Sequence, residues 1–342
     1  MFEGFYSGAT ARVLLKGRYG RQFTYNVGVR QGSRWSPDLG AFYVEDVIVI
    51  LKVHASGARL GEEDIVCIFY ADDLIIFESD PILLQKVLDV LQKECFRVGL
   101  DVNVSKTVYT TFTSQKRRNV KPLFFKGAPI KFEPNGVVYL GGHLDRQGSM
   151  KPHLKDRAAK SQRALGATMQ IWARYGNMTI SFRLELLNSL VCSVLQYASE
   201  IWGWGKTDIL ERVEAKALRI ALKLGDKVSV SAIRWLMGRH PLAVRFWINA
   251  YTFWSLVAGM PDERFEKQAL NAVWDLYLKH RTGWVKEMVD IFIKIKFIRD
   301  EQEAILLKGW TKEQIVRKLN EFKEAAYRYW EQEIWIQLSA EN

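Results

Sequence analysis

The order of apolar and polar residues divides this chain into elements. Over residues 11–29 the segments ARVLLKG and QFTYNVGV flank Arg18-Tyr19-Gly20, which predicts a hairpin turning at those three residues. Next, in RQGSRWSPDLGAFYVEDVIVIL, Ser36 is a suitable N-cap, Pro37 suits the first helical position and Asp38 favours the positive end of the helix dipole. That pattern predicts a helix from about Pro37 to Val53. Residues 65–70 and 74–78 are strand-like and close a second hairpin around Ala71-Asp72-Asp73. Residues 81–99 read as an amphipathic helix, with Leu84, Val87, Leu88 and Leu91 at helical spacing and Gly99 at its end. From residue 100, LDVNVSKTVYTTF returns to a strand, and residues 122–142 hold short strands broken by KGAP and EPNG.

After residue 150 the pattern is almost wholly helical, and 11 of the 12 tryptophans lie there, so the fold changes character at that point. Boundaries near Gln147-Gly148-Ser149 and Gly259-Met260-Pro261 divide the chain into residues 1–146, 147–258 and 259–342. The expected class is α+β: an antiparallel, palm-like sheet with flanking helices, then a helical region. With 48% hydrophobic and 25% charged residues, the chain has the material for globular cores. The net charge of +11 points to a polyanionic partner, nucleic acid first and an acidic membrane surface second, with solubility alone as the plain alternative.

Cys67, Cys95 and Cys192 are far apart and form no zinc or disulfide pattern. The N-terminus has no long apolar h-region, which predicts an intracellular protein, nuclear or cytoplasmic, and not a secreted one. The most apolar stretch, LLNSLVCSVLQYASEIWGWG, is interrupted by Gln196 and Glu200, so it reads as a buried helix rather than a membrane span.

The chemistry concentrates in CIFYADDLIIF, residues 67–77, where two adjacent carboxylates interrupt an apolar run. Burying either one unpaired would cost several kcal/mol. A hairpin tip presenting both offers four hard oxygens to one point, which suits Mg²⁺ with waters and phosphates as its other ligands. The plain alternative is an ordinary solvated turn, though such a turn does not need apolar strands on both sides.

FYADD followed by LIIF resembles the catalytic hairpin of reverse transcriptases. Three further segments fall in the same order as in that family: GVRQGSRWSP at residues 28–37, GLDVNVSKT at 99–107 and VVYLGGHLD at 137–145. The last is similar to the primer grip of the non-LTR (LINE-type) retrotransposon branch. The resemblance implies RNA-templated DNA synthesis with Mg²⁺, an RNA template, a DNA primer and deoxynucleoside triphosphates. It makes Asp72 and Asp73 metal-binding catalytic carboxylates. It places Lys106 near the pyrophosphate as a proton donor, Tyr70 and Ala71 beside the primer end, and Arg30, Gln31 and Gly32 around the template–nucleotide pocket. Asn103 would order its loop, and Leu140, Gly141 and Gly142 would hold the primer strand. For the two glycines the plain alternative is a bend alone.

In residues 210–225, Arg212, Lys216, Arg219 and Lys223 recur at helical spacing, as a stripe able to track phosphates. A solvated face helped by Glu211 and Glu214 is the alternative. Lys151, Lys155, Arg157, Lys160 and Arg163 form a second basic segment opposed only by Asp156. Trp202, Trp204, Trp235, Trp247 and Trp254 read as core residues rather than base-stacking platforms.

One departure from the family pattern is large. Glu3 is the only acidic residue before Asp38, and no segment resembles the family's first Asp motif or its fingers. The expectation is a partial polymerase, poor or inactive alone. The rivals are a non-enzymatic nucleic-acid binder derived from it and a metal-dependent nuclease using the same carboxylates.

Overall fold

A computed structural model describes residues 8–24, 28, 32–61, 63–112 and 121–340. Helices and short, mostly antiparallel ladders make up an α+β protein, as the sequence pattern predicts. Two compact units emerge: Met1–Thr107 with Lys121–Ile130, and Val108–Val120 with Lys131–Asn342.

The first unit opens with strands β1 (Thr10–Leu15) and β2 (Arg18–Thr24). Leu15 pairs with Arg18, so the turn is Lys16-Gly17 rather than the Arg18-Tyr19-Gly20 read from the sequence. Both turn residues have positive φ, the combination whose twist matches a hairpin and for which glycine is the usual second residue. Helix α1 (Ser36–His54) follows; its N-cap is Trp35, one residue earlier than expected, so Ser36 already lies inside the helix. Strands β3 (Ala58–Leu60), β4 (Glu63–Ile65), β5 (Cys67–Tyr70) and β6 (Asp73–Ile76) then form two hairpins.

Helix α2 (Pro81–Arg97) conforms to its sequence pattern. Asp80 accepts a hydrogen bond from the Ile82 N–H at 2.8 Å, Val87, Leu88 and Leu91 are buried, and Gly99 takes the left-handed conformation just past the end. The Gln85 side chain accepts from the N–H of Phe124 and donates to its carbonyl, at 2.8 and 2.9 Å. This pair of hydrogen bonds holds β8 (Phe124–Phe125), paired with β9 (Ala128–Pro129), against α2. Val47, Leu51, Val87, Leu91, Cys95 and Phe125 form the buried interior.

In the second unit β7 (Val108–Tyr109) pairs in parallel with β10 (Lys131–Phe132), and β11 (Gly136–Tyr139) pairs antiparallel with β12 (Gly142–Asp145). The strand expected over residues 100–112 is therefore confined to β7, because residues before it turn around Asn103. Among the described residues all strands pair in twos, without a wider sheet.

The rest is helical: α3 (Lys151–Arg174), α4 (Ile180–Leu186), a π-helical turn over Leu187–Cys192, α5 (Ser193–Leu195), α6 (Ser199–Trp202), α7 (Asp208–Ala221), α8 (Val230–Leu236) and α9 (Leu242–Ala258). After these come α10 (Phe265–His280), α11 (Trp284–Lys294), α12 (Glu301–Leu306), α13 (Lys312–Arg317) and α14 (Leu319–Ala340). Helix α9, LAVRFWINAYTFWSLVA, is apolar nearly all round, and a helix of that kind must be enclosed. It is. Leu242 and Phe246 join one core with Leu154, Trp172, Leu195 and Leu218, while Trp247, Tyr251 and Trp254 join a second with Trp274, Phe292 and Phe322. A Cβ on Gly203 would lie 2.6 Å from the Phe246 carbonyl oxygen, so only glycine lets that turn meet α9. Of the five tryptophans read as core, Trp202, Trp204, Trp247 and Trp254 are buried, and Trp235 is 60% exposed.

Glu214 is 1% exposed on α7, which overturns its reading as part of a solvated face. Arg234 donates to Glu214 at 2.6 Å and also to Glu211, and Arg239 lies 3.7 Å from Glu214. Glu211 in turn accepts from the Ala243 N–H at 2.7 Å, which ties α7 to the start of α9. Removing one member of such a pair leaves a buried charge without compensation. Arg234→Met is expected to destabilise the helical unit by about 3–5 kcal/mol, measured as a lowered urea midpoint, whereas Arg212→Met on the exposed face shifts it by less than about 0.5 kcal/mol.

Candidate functional site

In the first unit the β5–β6 hairpin displays the paired aspartates. Its register is Cys67–Ile76, Ile68–Ile75, Phe69–Leu74 and Tyr70–Asp73, which leaves Ala71 and Asp72 as the whole turn. Asp73 is thus a strand residue facing Tyr70, not the third residue of the turn. Side chains alternate across a strand. The face bearing Cys67 and Phe69 is buried or half-buried, while Ile68 and Tyr70 on the other face are 42% and 63% exposed. Asp73 shares that open face and Asp72 sits beside it at the tip; both are exposed. Among the described residues neither carboxylate makes an ion pair or a side-chain hydrogen bond.

The turn is strained. Ala71 has φ of +54°, a left-handed conformation that costs a residue with a Cβ about 1–2 kcal/mol. Positive φ at the first turn position alone is the pattern of a II′ hairpin, where glycine is preferred.

Lys106 belongs to the same unit and is exposed. Asn103 holds its loop: the Asn103 side-chain oxygen accepts from the Ser105 hydroxyl at 2.7 Å and the Lys106 N–H at 3.2 Å, and its carbonyl accepts from the Thr107 hydroxyl at 2.9 Å. Gly32 is exposed, with φ of +89°. Arg30 and Gln31 lie outside the described residues.

The donor set suits a hard cation in part. Two adjacent, unpaired carboxylates provide oxygen ligands, and Mg²⁺ keeps waters and phosphate oxygens for the remainder. Among the described residues no group of three or more His, Cys, Asp or Glu side chains is arranged to hold a metal.

In the second unit Leu140 and Gly141 are the two-residue turn between β11 and β12, with φ of +47° and +73°; Gly142 lies in β12, where it pairs with Tyr139. This hairpin is tied to the helical part at four points. The Tyr197 hydroxyl donates to the Leu140 carbonyl. Arg157 Nη2 lies 3.4 Å from the Gly141 carbonyl, and the His143 N–H donates to His153 Nδ1 at 3.4 Å. Asp156 lies 3.5 Å from His143 Nε2 and also meets Arg157 at 2.5 Å and Lys160 at 2.8 Å. Burial, with the charge of Arg157, holds His153 below the usual histidine range.

The basic residues sort into two kinds. Lys151, Lys155, Arg212 and Lys216 are exposed. Arg157 is 6% exposed and committed to the hairpin. Arg219 donates to the Val228 carbonyl at 2.8 Å, and Lys223 lies beyond the end of α7 in a left-handed turn. Of the four residues read as a stripe, Arg212 and Lys216 are exposed on α7, Arg219 is half-buried, and Lys223 is exposed just past the end of the helix. Tyr197 was not singled out in the sequence. Its partner is 57 residues away, and no local pattern marks such an interaction.

The sequence model of the reverse transcriptase (RNA-dependent DNA polymerase) family matches residues 2–144. Over 226 residues the chain is 26% identical to a probable RNA-directed DNA polymerase from transposon BS of Drosophila melanogaster, covering 63% of this chain and 24% of that protein. It is 24% identical over 195 residues to a probable RNA-directed DNA polymerase from transposon X-element of the same fly, covering 57% and 21%. With the RNA-directed DNA polymerase from mobile element jockey of Drosophila funebris it shares 21% identity over 228 residues, covering 64% and 24%. The chain thus spans about a quarter of the length of these relatives. Among the described residues no helix is long and apolar enough to cross a membrane.

Two expectations follow from the geometry. Ala71→Gly removes the turn strain and is expected to stabilise the hairpin by up to about 1 kcal/mol, read as a roughly fivefold slower thiol labelling of buried Cys67. The second concerns Asp156. Its burial alone would raise its pKa, but the hydrogen bonds and charges of Lys160 and Arg157 outweigh this and hold the carboxyl at about 2. A carboxyl depressed on folding stabilises above its unfolded pKa, and that contribution is lost as pH falls through the folded value. The stability difference between the parent protein and Asp156→Asn is expected to be about 2 kcal/mol near pH 6 and to vanish between about pH 4 and pH 2, followed by urea unfolding across that range.

Residues 2–144, which hold the paired aspartates, match the reverse transcriptase (RNA-dependent DNA polymerase) family model, and the chain is similar to RNA-directed DNA polymerases of Drosophila transposons.

Proposed function

We propose that these residues are the part of a non-LTR reverse transcriptase that carries the paired catalytic aspartates and a helical holder for the primer–template, acting on an RNA template, a DNA primer and deoxynucleoside triphosphates. The observation that supports this most is the hairpin tip: Asp72 and Asp73 stand exposed on apolar strands, without a cationic partner among the described residues. Asp72 and Asp73 would hold Mg²⁺, which when bound activates the primer hydroxyl and stabilises the leaving pyrophosphate.

In this reading Tyr70, Ala71 and Gly32, with Arg30 and Gln31, border the primer end and the incoming nucleotide. Lys106 protonates the leaving group from a loop ordered by Asn103. Leu140, Gly141 and Gly142 touch the primer strand, and Lys151, Lys155, Arg212 and Lys216 meet phosphates. Residues 1–146 form the palm-like part, 147–258 the thumb-like part and 259–342 a further helical region.

Primer extension on an RNA template with Mg²⁺ is the test. The expected result is Mg²⁺-dependent extension, abolished in Asp72→Asn. Extension unchanged in Asp72→Asn would refute the assignment of the hairpin. Salt-dependent binding of the hybrid with no Mg²⁺-dependent extension would select the non-enzymatic binder instead.

A further inference from the structure

Arg157 is the least accessible member of a basic segment, and it does not face solvent. Its guanidinium lies 5.0 Å from the centroid of the Tyr197 ring and reaches the Gly141 carbonyl at 3.4 Å, with Asp156 as its counter-charge at 2.5 Å. The Tyr197 hydroxyl takes the adjacent carbonyl, that of Leu140. The same ring would touch a Cβ placed on Gly141 at 3.5 Å. Both carbonyl oxygens of one turn are thus held by one stacked pair of side chains.

Two further features show that this arrangement is built. Leu140 has φ of +47°, and Ala198, directly after Tyr197, has φ of +58°. Residues with a Cβ take that conformation only when their surroundings over-determine it. Here the left-handed backbone at Ala198 turns the chain from Tyr197 into α6, and Trp202 on α6 donates back to the Tyr197 carbonyl at 3.0 Å.

The consequence is directional. In a trans peptide the N–H points opposite to the C=O. A Leu140 carbonyl held by Tyr197 aims the Gly141 N–H away from Tyr197. Among the described residues that N–H makes no hydrogen bond. Carbonyl oxygens repel a phosphate, whereas a free N–H in a tight turn attracts one.

We propose that Tyr197 and Arg157 are positioning residues for the primer strand: by withdrawing the two turn carbonyls they present the Gly141 N–H to a single backbone phosphate. This rests on the reading of the β11–β12 turn as a primer-binding element. Neither residue touches nucleic acid itself; both act through the turn.

The test uses the full chain and a fluorescent RNA–DNA primer–template hybrid with a recessed 3′ end. Uncharged methylphosphonates replace primer phosphates one at a time. In the parent protein one position is expected to weaken binding about tenfold, the effect of removing one hydrogen bond to a charged group. Tyr197→Phe, which keeps the ring and removes the hydroxyl, weakens binding to the unmodified hybrid by a similar factor and is indifferent to the methylphosphonate at that position. The slope of log affinity against log salt falls by about 1 when the protein engages one phosphate fewer. Arg157→Lys reproduces this more weakly, because it keeps the charge and gives up the planar stacking on the ring.

Thermal melting of each variant accompanies the binding, and a merely structural role would move the melting temperature without moving the salt slope. If Tyr197→Phe and the parent respond alike to every methylphosphonate, the positioning role is wrong while the nucleic-acid reading stands. If the parent shows no salt-dependent affinity for the hybrid, that reading fails and the positioning role with it.

Discussion

An ionised carboxylate enters an apolar interior only when a cation goes with it, and Glu214 imposes that condition on the helical unit. Its side chain is 1% exposed, so Arg234 must follow, and Arg239 after it. Arg239 extends the group to Asn188 in the π-helical turn at 2.9 Å, and Glu211 extends it to the N–H that begins α9. Four segments are fixed by one charge pair and its neighbours. Arg183 is likewise turned inward: 6% exposed, it lies 5.7 Å from the Trp172 ring centroid and donates to the Ala221 carbonyl at the end of α7. A net charge of +11 therefore overstates the cations facing solvent, since several arginines act inside. Exposed lysines and arginines, Arg163 and Arg212 among them, carry what remains for a polyanion.

The sequence made the amphipathic helix over residues 81–97 legible because its signals are local: a capping aspartate, apolar spacing and a terminal glycine all lie within one element. The paired aspartates were legible for the same reason, since carboxylates between apolar strands conflict with their surroundings. Turn positions were not. Gly20 drew the first hairpin's turn three residues late, whereas Lys16-Gly17 meets the requirement for positive φ at both positions. Asp73 entered β6 because Tyr70 pairs with it, and register is a property of two strands together.

Arginine roles were the least legible. Composition placed Arg157, and helical spacing Arg219, among cations available to phosphates; Arg157 instead reaches the Gly141 carbonyl and Arg219 donates to the Val228 carbonyl nine residues on. Spacing along a helix states which residues share a face; it does not state what covers that face. The same gap hid Tyr197. Only the folded chain brings residue 197 to residue 140, and nothing in QYASEIW distinguishes that tyrosine from an ordinary half-exposed one.

The β5–β6 and β11–β12 hairpins use one device for opposite ends. Each closes in two residues and places a residue with a Cβ at positive φ in the first turn position, Ala71 in one and Leu140 in the other. Each accepts a local cost on the order of 1–2 kcal/mol. In the first hairpin the turn is followed by an acidic strand residue, and adjacent carboxylates stay in water, where their repulsion is screened. In the second the turn contains no acid, and its carbonyls are drawn back onto Tyr197 and Arg157. The first turn gathers negative oxygen and the second removes it. On the proposed function that difference separates a metal-binding tip from a phosphate-binding one, and it is set by what lies behind each turn rather than by the turn itself.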